Sequence, residues 1–203
     1  MSERIALFGG TFNPIHCGHL TVARAVADRL ALSRLVLMPS ARPPHKPAGD
    51  LAAGEDRLAM CRLAAEIDPR LVVSDLELHR PPPSYTVDTL AALGRDSPSA
   101  KLLLVIGADM LRDFHLWYRF EDIARTARIV TVPRPGVEIG SLAALRRALG
   151  EAAVEGILAD LQDTPLVDVS STEIRRRLLA GQSVADLVPP AVARYIVEHG
   201  LYR

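Results

Sequence analysis

The chain has 203 residues, of which 49% are apolar and 24% are charged, proportions that are typical of a globular protein and not of a disordered one. Lysine plus arginine and aspartate plus glutamate each number 24, so the formal net charge is zero. A protein that binds duplex nucleic acid usually carries a basic excess, because phosphate neutralisation supplies most of its affinity. We therefore expect one compact domain over residues 1–203 and no nucleic-acid partner.

Short apolar runs alternate with stretches of helical spacing along the whole chain. In chain order the pattern predicts strand 4–8, helix 18–32, strand 35–38, loop 40–48, helix 55–67, strand 71–76, helix 86–93, strand 101–106, helix 117–124, strand 128–132, helix 142–161, strand 166–169, and helices 172–179 and 190–199. The strands are continuously apolar, which is typical of a parallel sheet covered on both faces. The expected fold is α/β, a Rossmann-like doubly wound parallel sheet with helices on both faces and a C-terminal helical segment.

Neither a membrane nor an oxidising compartment is indicated. The N-terminus leads directly into a strand-like run without a signal-peptide pattern, and the longest apolar stretch, residues 102–106, is too short to span a bilayer. Cys17 and Cys61 form neither a CxxC pair nor a zinc pattern. We expect a cytoplasmic protein with no membrane partner, and a homo-oligomer is compatible with the sequence.

The first candidate site is the loop after the first strand, residues 9–19 (GGTFNPIHCGH). Gly9 and Gly10 allow a sharp turn and a close approach to a ligand. The next helix begins near Gly18, so its free N–H groups face this loop and favour an anion. His16 and His19 share one face of the helix start, and their rings can donate to phosphate oxygens, with an anion favouring the protonated form. One histidine alone would be better explained by packing or surface exposure, but two that bracket a glycine favour a phosphate site.

A second anion site is predicted where the strand at 166–169 runs into Ser170, Ser171 and Thr172. Hydroxyl groups can cap the following helix, and Arg175 lies three residues after Thr172 on the same face. Alone this pattern indicates only a helix cap. Paired with the histidine loop, it can grip a triphosphate from a second side.

These two motifs resemble those of the nucleotidylyltransferase superfamily, in which GGTFNPIHCGHL matches the HxGH loop and SSTEIRRRL matches an STxIR-type phosphate motif. Further segments, in order along the chain from residue 5 to residue 202, resemble the nicotinate mononucleotide adenylyltransferases in particular: PPHK at 43–46, PSYTVDTL at 83–90, IGAD at 106–109, FHLW at 114–117 and PRPG at 133–136. The chain departs from the family in having Asn13 where Asp is frequent, and residues 140–162 match no motif.

The resemblance implies that the phosphate of nicotinate mononucleotide attacks the α-phosphorus of ATP, so that pyrophosphate leaves and nicotinate adenine dinucleotide forms. It implies that the groups touching the reacting phosphates are His16, His19 and Arg175. It also implies an ATP site formed by Gly9, Gly10, Thr11, Phe12, His16, His19, Gly107, Asp109, Ser171, Thr172 and Arg175. The acceptor site would comprise Lys46, Thr86, Trp117 and Arg134. Mg²⁺ would be held mainly by ATP phosphates and by no protein ligands.

Other readings stay open at this point. A different transferase of the superfamily, such as a pantetheine-phosphate adenylyltransferase or a cytidylyltransferase, would share the phosphate motifs but not the PSYT and FHLW segments. A nucleotide sensor without turnover would keep the phosphate loop but lose the catalytic geometry. A class I aminoacyl-tRNA synthetase shares an HxGH-like turn, but this chain is short for one and lacks a KMSKS segment.

Overall fold

The computed structural model of the chain describes residues 3–41 and 51–203. In this part of the chain the strands are β1 (Arg4–Gly10), β2 (Arg34–Pro39), β3 (Leu71–Val73), β4 (Lys101–Gly107) and β5 (Arg128–Val132). The helices are α1 (Cys17–Arg29), α2 (Gly54–Ala65), α3 (Leu76–His79), α4 (Thr86–Asp96), α5 (Ala108–Arg112), α6 (Phe120–Thr126), α7 (Ala143–Leu149), α8 (Glu151–Ala159), α9 (Ser171–Leu179) and α10 (Pro190–Glu198). A 3₁₀ turn at Phe114–Leu116 lies between α5 and α6.

The strands form one parallel sheet in the order β3-β2-β1-β4-β5. The chain builds outwards from β1 to β3 and then returns to place β4 on the other side of β1. The strand order therefore reverses between β1 and β4, and in open α/β sheets ligands bind at the carboxyl ends of the strands beside such a point. The residues at these two ends are Gly9 and Gly10 on β1 and Gly107 on β4.

Alternate residues of β1, β2 and β4 face two separate hydrophobic cores. Ala6 and Phe8 of β1 belong to a core shared with α1, α2, α9 and α10, whereas Ile5 and Leu7 belong to a core shared with α4 to α8. Both faces of the sheet are thus covered by helices, which explains why the strands are apolar throughout. The predicted doubly wound α/β fold with a C-terminal helical segment is confirmed.

The predicted strand at 166–169 is wrong. Among residues 161–170, Leu161 alone makes a bridge to β5, opposite Thr131, and residues 163–170 form no strand. Pro165 has no N–H to donate to a sheet ladder, so strand pairing cannot continue through it. The segment instead crosses to the start of α1, where the Val167 side chain lies 3.7 Å from the position of a Cβ built on Gly18.

Two predicted helices and one strand also have different bounds. The predicted helix 142–161 is divided into α7 and α8 at Gly150, which has φ +85°. The predicted helix 117–124 begins only at Phe120, because Arg119 before it is left-handed with φ +53°. The predicted strand 71–76 ends at Val73, since the Ser74 hydroxyl accepts the N–H that opens α3.

Candidate active site

The loop after β1 is shaped by glycines and by one left-handed phenylalanine. A Cβ built on Gly9 would have no heavy atom within 4 Å, so this backbone borders open space. A Cβ on Gly10 would lie 2.9 Å from the Phe12 ring. Phe12 itself has φ +46°, a strained conformation for a side chain of this size, and its buried ring packs edge-on against Phe8 and His19 at centroid distances of 5.9 and 5.1 Å. The loop therefore has one imposed conformation.

His16 and His19 cap α1 reciprocally. His16 is the N-cap, its Nδ1 accepts the His19 N–H at 3.4 Å, and His19 Nδ1 accepts the His16 N–H at 3.3 Å. The two rings stack with centroids 3.7 Å apart. A Cβ on Gly18 would lie 3.1 Å from the His16 ring, so glycine leaves the space that this ring occupies. The predicted pairing of the two imidazoles at the start of one helix is what the structure shows.

The protonation of His16 follows from its surroundings. Burial, with a further contribution from the Arg134 guanidinium, lowers the pKa of His16 to about 4. The ring is therefore neutral at pH 7, and because Nδ1 is an acceptor, its proton is on Nε2. We expected an anion to favour the protonated ring; the structure adds that a neutral ring already offers phosphate an N–H donor.

The second motif is bonded directly to the first. Ser170 caps α9 by accepting the Glu173 N–H at 3.1 Å. The Ser171 hydroxyl donates to the Pro14 carbonyl at 3.0 Å, and Arg175 Nη1 donates to the Asn13 carbonyl at 2.9 Å. Segments about 160 residues apart in sequence thus form one wall, with the N-terminus of α9 beside that of α1.

The two arginines that follow Arg175 form ion pairs within α9. Arg176 and Arg177 both bond the Glu173 carboxylate, at 2.7 and 2.9 Å. These ion pairs lower the pKa of Glu173 to about 2. Of these three arginines, Arg175 is the one that bonds the loop after β1, and Thr172 lies exposed in the first turn of the helix.

Beyond β4, Gly107 makes room for an acid–base pair. A Cβ on Gly107 would lie 2.3 Å from the Asp109 carboxylate and 2.7 Å from Arg134 Nε. Asp109 Oδ1 is 3.2 Å from Arg134 Nε, close enough for an ion pair. The same oxygen is buried and accepts no correctly oriented hydrogen bond from the described residues. The Arg134 guanidinium also contributes to the lowered pKa of His16.

Two of the predicted acceptor residues, Thr86 and Trp117, lie on adjoining segments. α4 begins at Thr86, with Tyr85 as its extended N-cap, so the first-turn N–H groups are at the predicted position. The Tyr85 ring lies 4.2 Å from that of Tyr118, which joins the start of α4 to the residue after Trp117. Trp117 is half-buried and packs edge-on against Phe114 at 5.4 Å. Lys46 lies outside the described residues.

Sequence reasoning overlooked Arg57. Its buried guanidinium donates to the carbonyls of Thr11 at 2.8 Å, Ser40 at 2.8 Å, Ala41 at 3.2 Å and Ala52 at 3.1 Å. It thereby ties the loop after β1 to the residues after β2. A signal existed in the sequence, because Arg57 falls on the buried stripe of α2 one turn before Cys61. An arginine on an apolar stripe indicates a buried network of hydrogen bonds.

Neither a metal-binding cluster nor a membrane-spanning helix is found in the part of the chain that the structure describes. Over residues 3–41 and 51–203, no three His, Cys, Asp or Glu side chains are grouped closely enough to hold a metal ion. Within the same ranges, no helix combines the length and the apolar character needed to cross a bilayer.

Known proteins resemble this chain over nearly its full length. The model of the cytidylyltransferase-like family matches residues 7–177. A protein of Thermus thermophilus that is named a probable nicotinate-nucleotide adenylyltransferase is 46% identical over 200 residues, with 98% of this chain and 100% of that protein covered. A protein of the same name from Neisseria meningitidis is 44% identical over 201 residues, with 98% of each covered.

A solved structure shares the fold. Nicotinic acid mononucleotide adenylyltransferase of Plasmodium falciparum, complexed with NaAD, superposes with a TM-score of 0.77 at 20% identity and covers 98% of this chain and 97% of its own. The resemblance inferred from the motifs is confirmed by the family model and the relatives together. The chain therefore belongs to the cytidylyltransferase-like family and, within it, to the nicotinate-nucleotide adenylyltransferases.

Proposed function

We propose that this chain transfers the adenylyl group of ATP to nicotinate mononucleotide, giving nicotinate adenine dinucleotide and pyrophosphate in NAD biosynthesis. The observation that carries the proposal is the joining of the two phosphate motifs, through Arg175 to Asn13 at 2.9 Å and Ser171 to Pro14 at 3.0 Å. This junction brings a guanidinium close to two helix N-termini, which supports a shared anion site there. Such a site suits a triphosphate that needs contacts from more than one side.

The chemistry is a displacement at phosphorus. An oxygen of the acceptor phosphate forms a bond to the α-phosphorus of ATP, the bond from that phosphorus to the bridging oxygen breaks, and pyrophosphate leaves with the electron pair. The acceptor is ionised at neutral pH, so no side chain has to act as a covalent nucleophile. Catalysis then consists of positioning and charge stabilisation by His16, His19 and Arg175.

The remaining ATP contacts follow the carboxyl ends of β1 and β4. Gly9, with open space beside its Cα, would let a phosphate approach the backbone, and Gly10, Thr11 and Phe12 would complete that side of the loop. The buried Oδ1 of Asp109 is an acceptor suited to a ribose hydroxyl.

The α9 side would hold the leaving group. The Ser171 hydroxyl already donates to Pro14, so Ser171 and Thr172 would contribute first-turn N–H groups of α9, with Arg175 as the charged donor.

The acceptor side rests on Thr86, Trp117, Arg134 and Lys46. The N–H groups at the start of α4 suit the nicotinate carboxylate, and the half-buried indole of Trp117 suits the pyridine ring. Arg134 lies 3.2 Å from Asp109 and contributes to the lowered pKa of His16, which supports a role for its guanidinium in binding the acceptor phosphate.

Mg²⁺ enters this proposal with ATP. The donors around the loop are imidazole, guanidinium and main-chain N–H groups, which fit phosphate oxygens, whereas Mg²⁺ prefers oxygen ligands and keeps several waters. Phosphate oxygens would therefore hold the ion. We further propose that residues 1–203 act as one cytoplasmic nucleotidyltransferase domain with small-molecule partners, with or without homo-oligomer formation.

A product assay tests the function. The protein is incubated with ATP and one acceptor at a time: nicotinate mononucleotide, nicotinamide mononucleotide or phosphopantetheine, with CTP replacing ATP in a further arm. We expect pyrophosphate and a dinucleotide with ATP and nicotinate mononucleotide, and less with the amide. A pantetheine product or preference for CTP would assign a different transferase, and nucleotide binding without pyrophosphate release would indicate a sensor.

A further inference from the structure

The residue before the C-terminus reaches the phosphate loop. The Tyr202 hydroxyl donates to Asn13 Oδ1 at 2.8 Å. Asn13 is buried, and its side-chain oxygen also accepts the Ala52 N–H at 3.0 Å, while its main-chain carbonyl accepts from Arg175 at 2.9 Å. Tyr202 and Arg175 therefore hold the same loop residue, one through its side chain and the other through its backbone.

The backbone turn that follows α10 directs the Tyr202 hydroxyl towards Asn13. After α10 the Leu201 N–H bonds the Ile196 carbonyl at 3.0 Å, and Gly200 and Tyr202 are both left-handed, with φ +60° and +61°. A left-handed tyrosine costs conformational energy and persists only where its surroundings hold it. Leu201 and Tyr202 pack against the core that includes α1, α2 and α10. The turn thus directs the Tyr202 ring towards this core.

The charges around Tyr202 suit a hydrogen-bond donor. Burial raises the pKa of Tyr202, and the guanidinium groups of Arg175 and Arg57 oppose that rise. The hydroxyl consequently keeps its proton at neutral pH. Asn13 Oδ1 is a neutral acceptor, so this contact involves no ion pair.

We propose that Tyr202 is a positioning residue for adenylyl transfer: its hydroxyl fixes the Asn13 side chain and thereby the peptide whose carbonyl holds Arg175. Tyr202 acts through these residues and touches no substrate. The proposal rests on the proposed function, because Arg175 is taken as the donor to the leaving pyrophosphate. It adds Tyr202 to the residues that would shape the active site.

The chain offers a matched control. Tyr195 in α10 also donates its hydroxyl to one side-chain oxygen, Asp56 Oδ1 in α2, at 3.0 Å. Tyr202→Phe and Tyr195→Phe each remove one oxygen atom and one hydrogen bond from the C-terminal region. Only the first of these bonds leads to the phosphate loop. Comparable shifts of the urea midpoint would show that the two variants are matched in stability.

The test compares steady-state kinetics and equilibrium ATP binding in the full-length variants. We expect Tyr202→Phe to lower turnover about fivefold, since one hydrogen bond is worth about 1 kcal/mol. Its KM for ATP should rise while its KM for nicotinate mononucleotide stays unchanged. Tyr195→Phe should leave turnover and the KM for ATP at the wild-type values. Equal kinetics in the two variants would overturn the proposal.

A double-mutant cycle separates positioning from general support. If Tyr202 acts through Arg175, adding Tyr202→Phe to Arg175→Lys should cost little further turnover. Losses that multiply independently would overturn the proposal. If the wild-type protein makes no dinucleotide, the proposed function fails, but the role of Tyr202 can still be tested. The ATP affinities of the wild type, the two single variants and the double variant then decide that role.

Discussion

His16 and His19 each accept the main-chain N–H of the other through Nδ1, at 3.4 and 3.3 Å, while their rings stack 3.7 Å apart. One arrangement therefore caps α1, sets the orientation of both rings and fixes the ring nitrogen that carries a proton in a neutral ring. In the HxGH motif, helix capping uses Nδ1 of each ring, and the proposed phosphate contact would use Nε2 of the same rings. Substitutions at the two positions should separate these two roles.

Replacing His19 with alanine should lower turnover by a factor on the order of 10²–10³, as is common when one donor to a transition-state oxygen is removed. The KM for nicotinate mononucleotide should stay close to the wild-type value, because the acceptor site lies on other segments. His79→Ala, at an exposed histidine on α3, is the control and should leave both constants unchanged. Unchanged turnover in His19→Ala would contradict the role.

The low pKa of His16 predicts an acid-sensitive fold. The unfolded state takes up a proton at this residue near pH 6.5, whereas the folded state does so only at about pH 4. The stability linked to His16 is therefore complete above pH 6.5 and is lost as pH falls towards 4, by at most about 3 kcal/mol. His16→Asn keeps an N-cap acceptor and removes the titration. Urea unfolding at pH 7, 5.5 and 4 should show a shallower loss in the variant; parallel losses would refute this linkage.

Arg57→Met should destabilise the fold strongly, because the carbonyls of Thr11, Ser40 and Ala41 lose a buried guanidinium donor in part-buried hydrogen bonds. Unsatisfied buried groups cost about 1–3 kcal/mol each, so a loss of roughly 3 kcal/mol or more is expected. Arg62→Met on the same helix removes only an exposed ion pair with Asp75 and should cost less than about 1 kcal/mol. The check is the free energy of unfolding in urea; similar losses in both variants would show that the buried network contributes little.

Gly107→Ala should impair catalysis more than folding. Its new methyl group would displace the flexible side chains of Asp109 and Arg134, and misplacement of this kind can cost up to roughly 10²-fold in rate. Gly156→Ala, whose Cβ would meet nothing within 4 Å in α8, is the control and should stabilise the helix by up to about 1 kcal/mol. Kinetics and thermal unfolding of both variants provide the comparison, and normal kinetics in Gly107→Ala would contradict the proposed site.

Trp117→Leu should weaken acceptor binding selectively. Loss of aromatic stacking is worth about 0.5–1.5 kcal/mol, so the KM for nicotinate mononucleotide should rise about two- to tenfold while the KM for ATP stays unchanged. Phe120→Leu is a matched control, because Phe120 also packs edge-on against Phe114. Equal effects of the two substitutions would indicate that Trp117 serves only the core.

The sheet and the phosphate loop could be predicted because their signals are local. The continuous apolar runs of β1 and β4, each ending in glycine, indicate buried parallel strands and a close approach of the backbone to a ligand. Two histidines around Gly18 define a chemical pattern within four residues. The predicted strand at 166–169 failed because apolar composition does not show that Pro165 interrupts pairing or that α1 lies in the path.

The interactions between distant segments could not be predicted in the same way. The hydrogen-bond partners of Arg57, Tyr202 and Asn13 are distant in sequence and are known only once the chain is folded. For Arg57 the buried stripe of α2 contained a usable signal. For Tyr202 nothing in the sequence specifies that a terminal tyrosine meets residue 13.

The contacts from α9 to the loop after β1 have a consequence for synthesis of the protein. Every strand is complete once Val132 has been made, yet Ser171 and Arg175 follow about forty residues later. At roughly 5–20 residues per second, translation leaves an interval of several seconds in which the sheet can form while its nucleotide pocket lacks a wall. A nascent chain of this protein is therefore expected to acquire its architecture before it can recognise ATP.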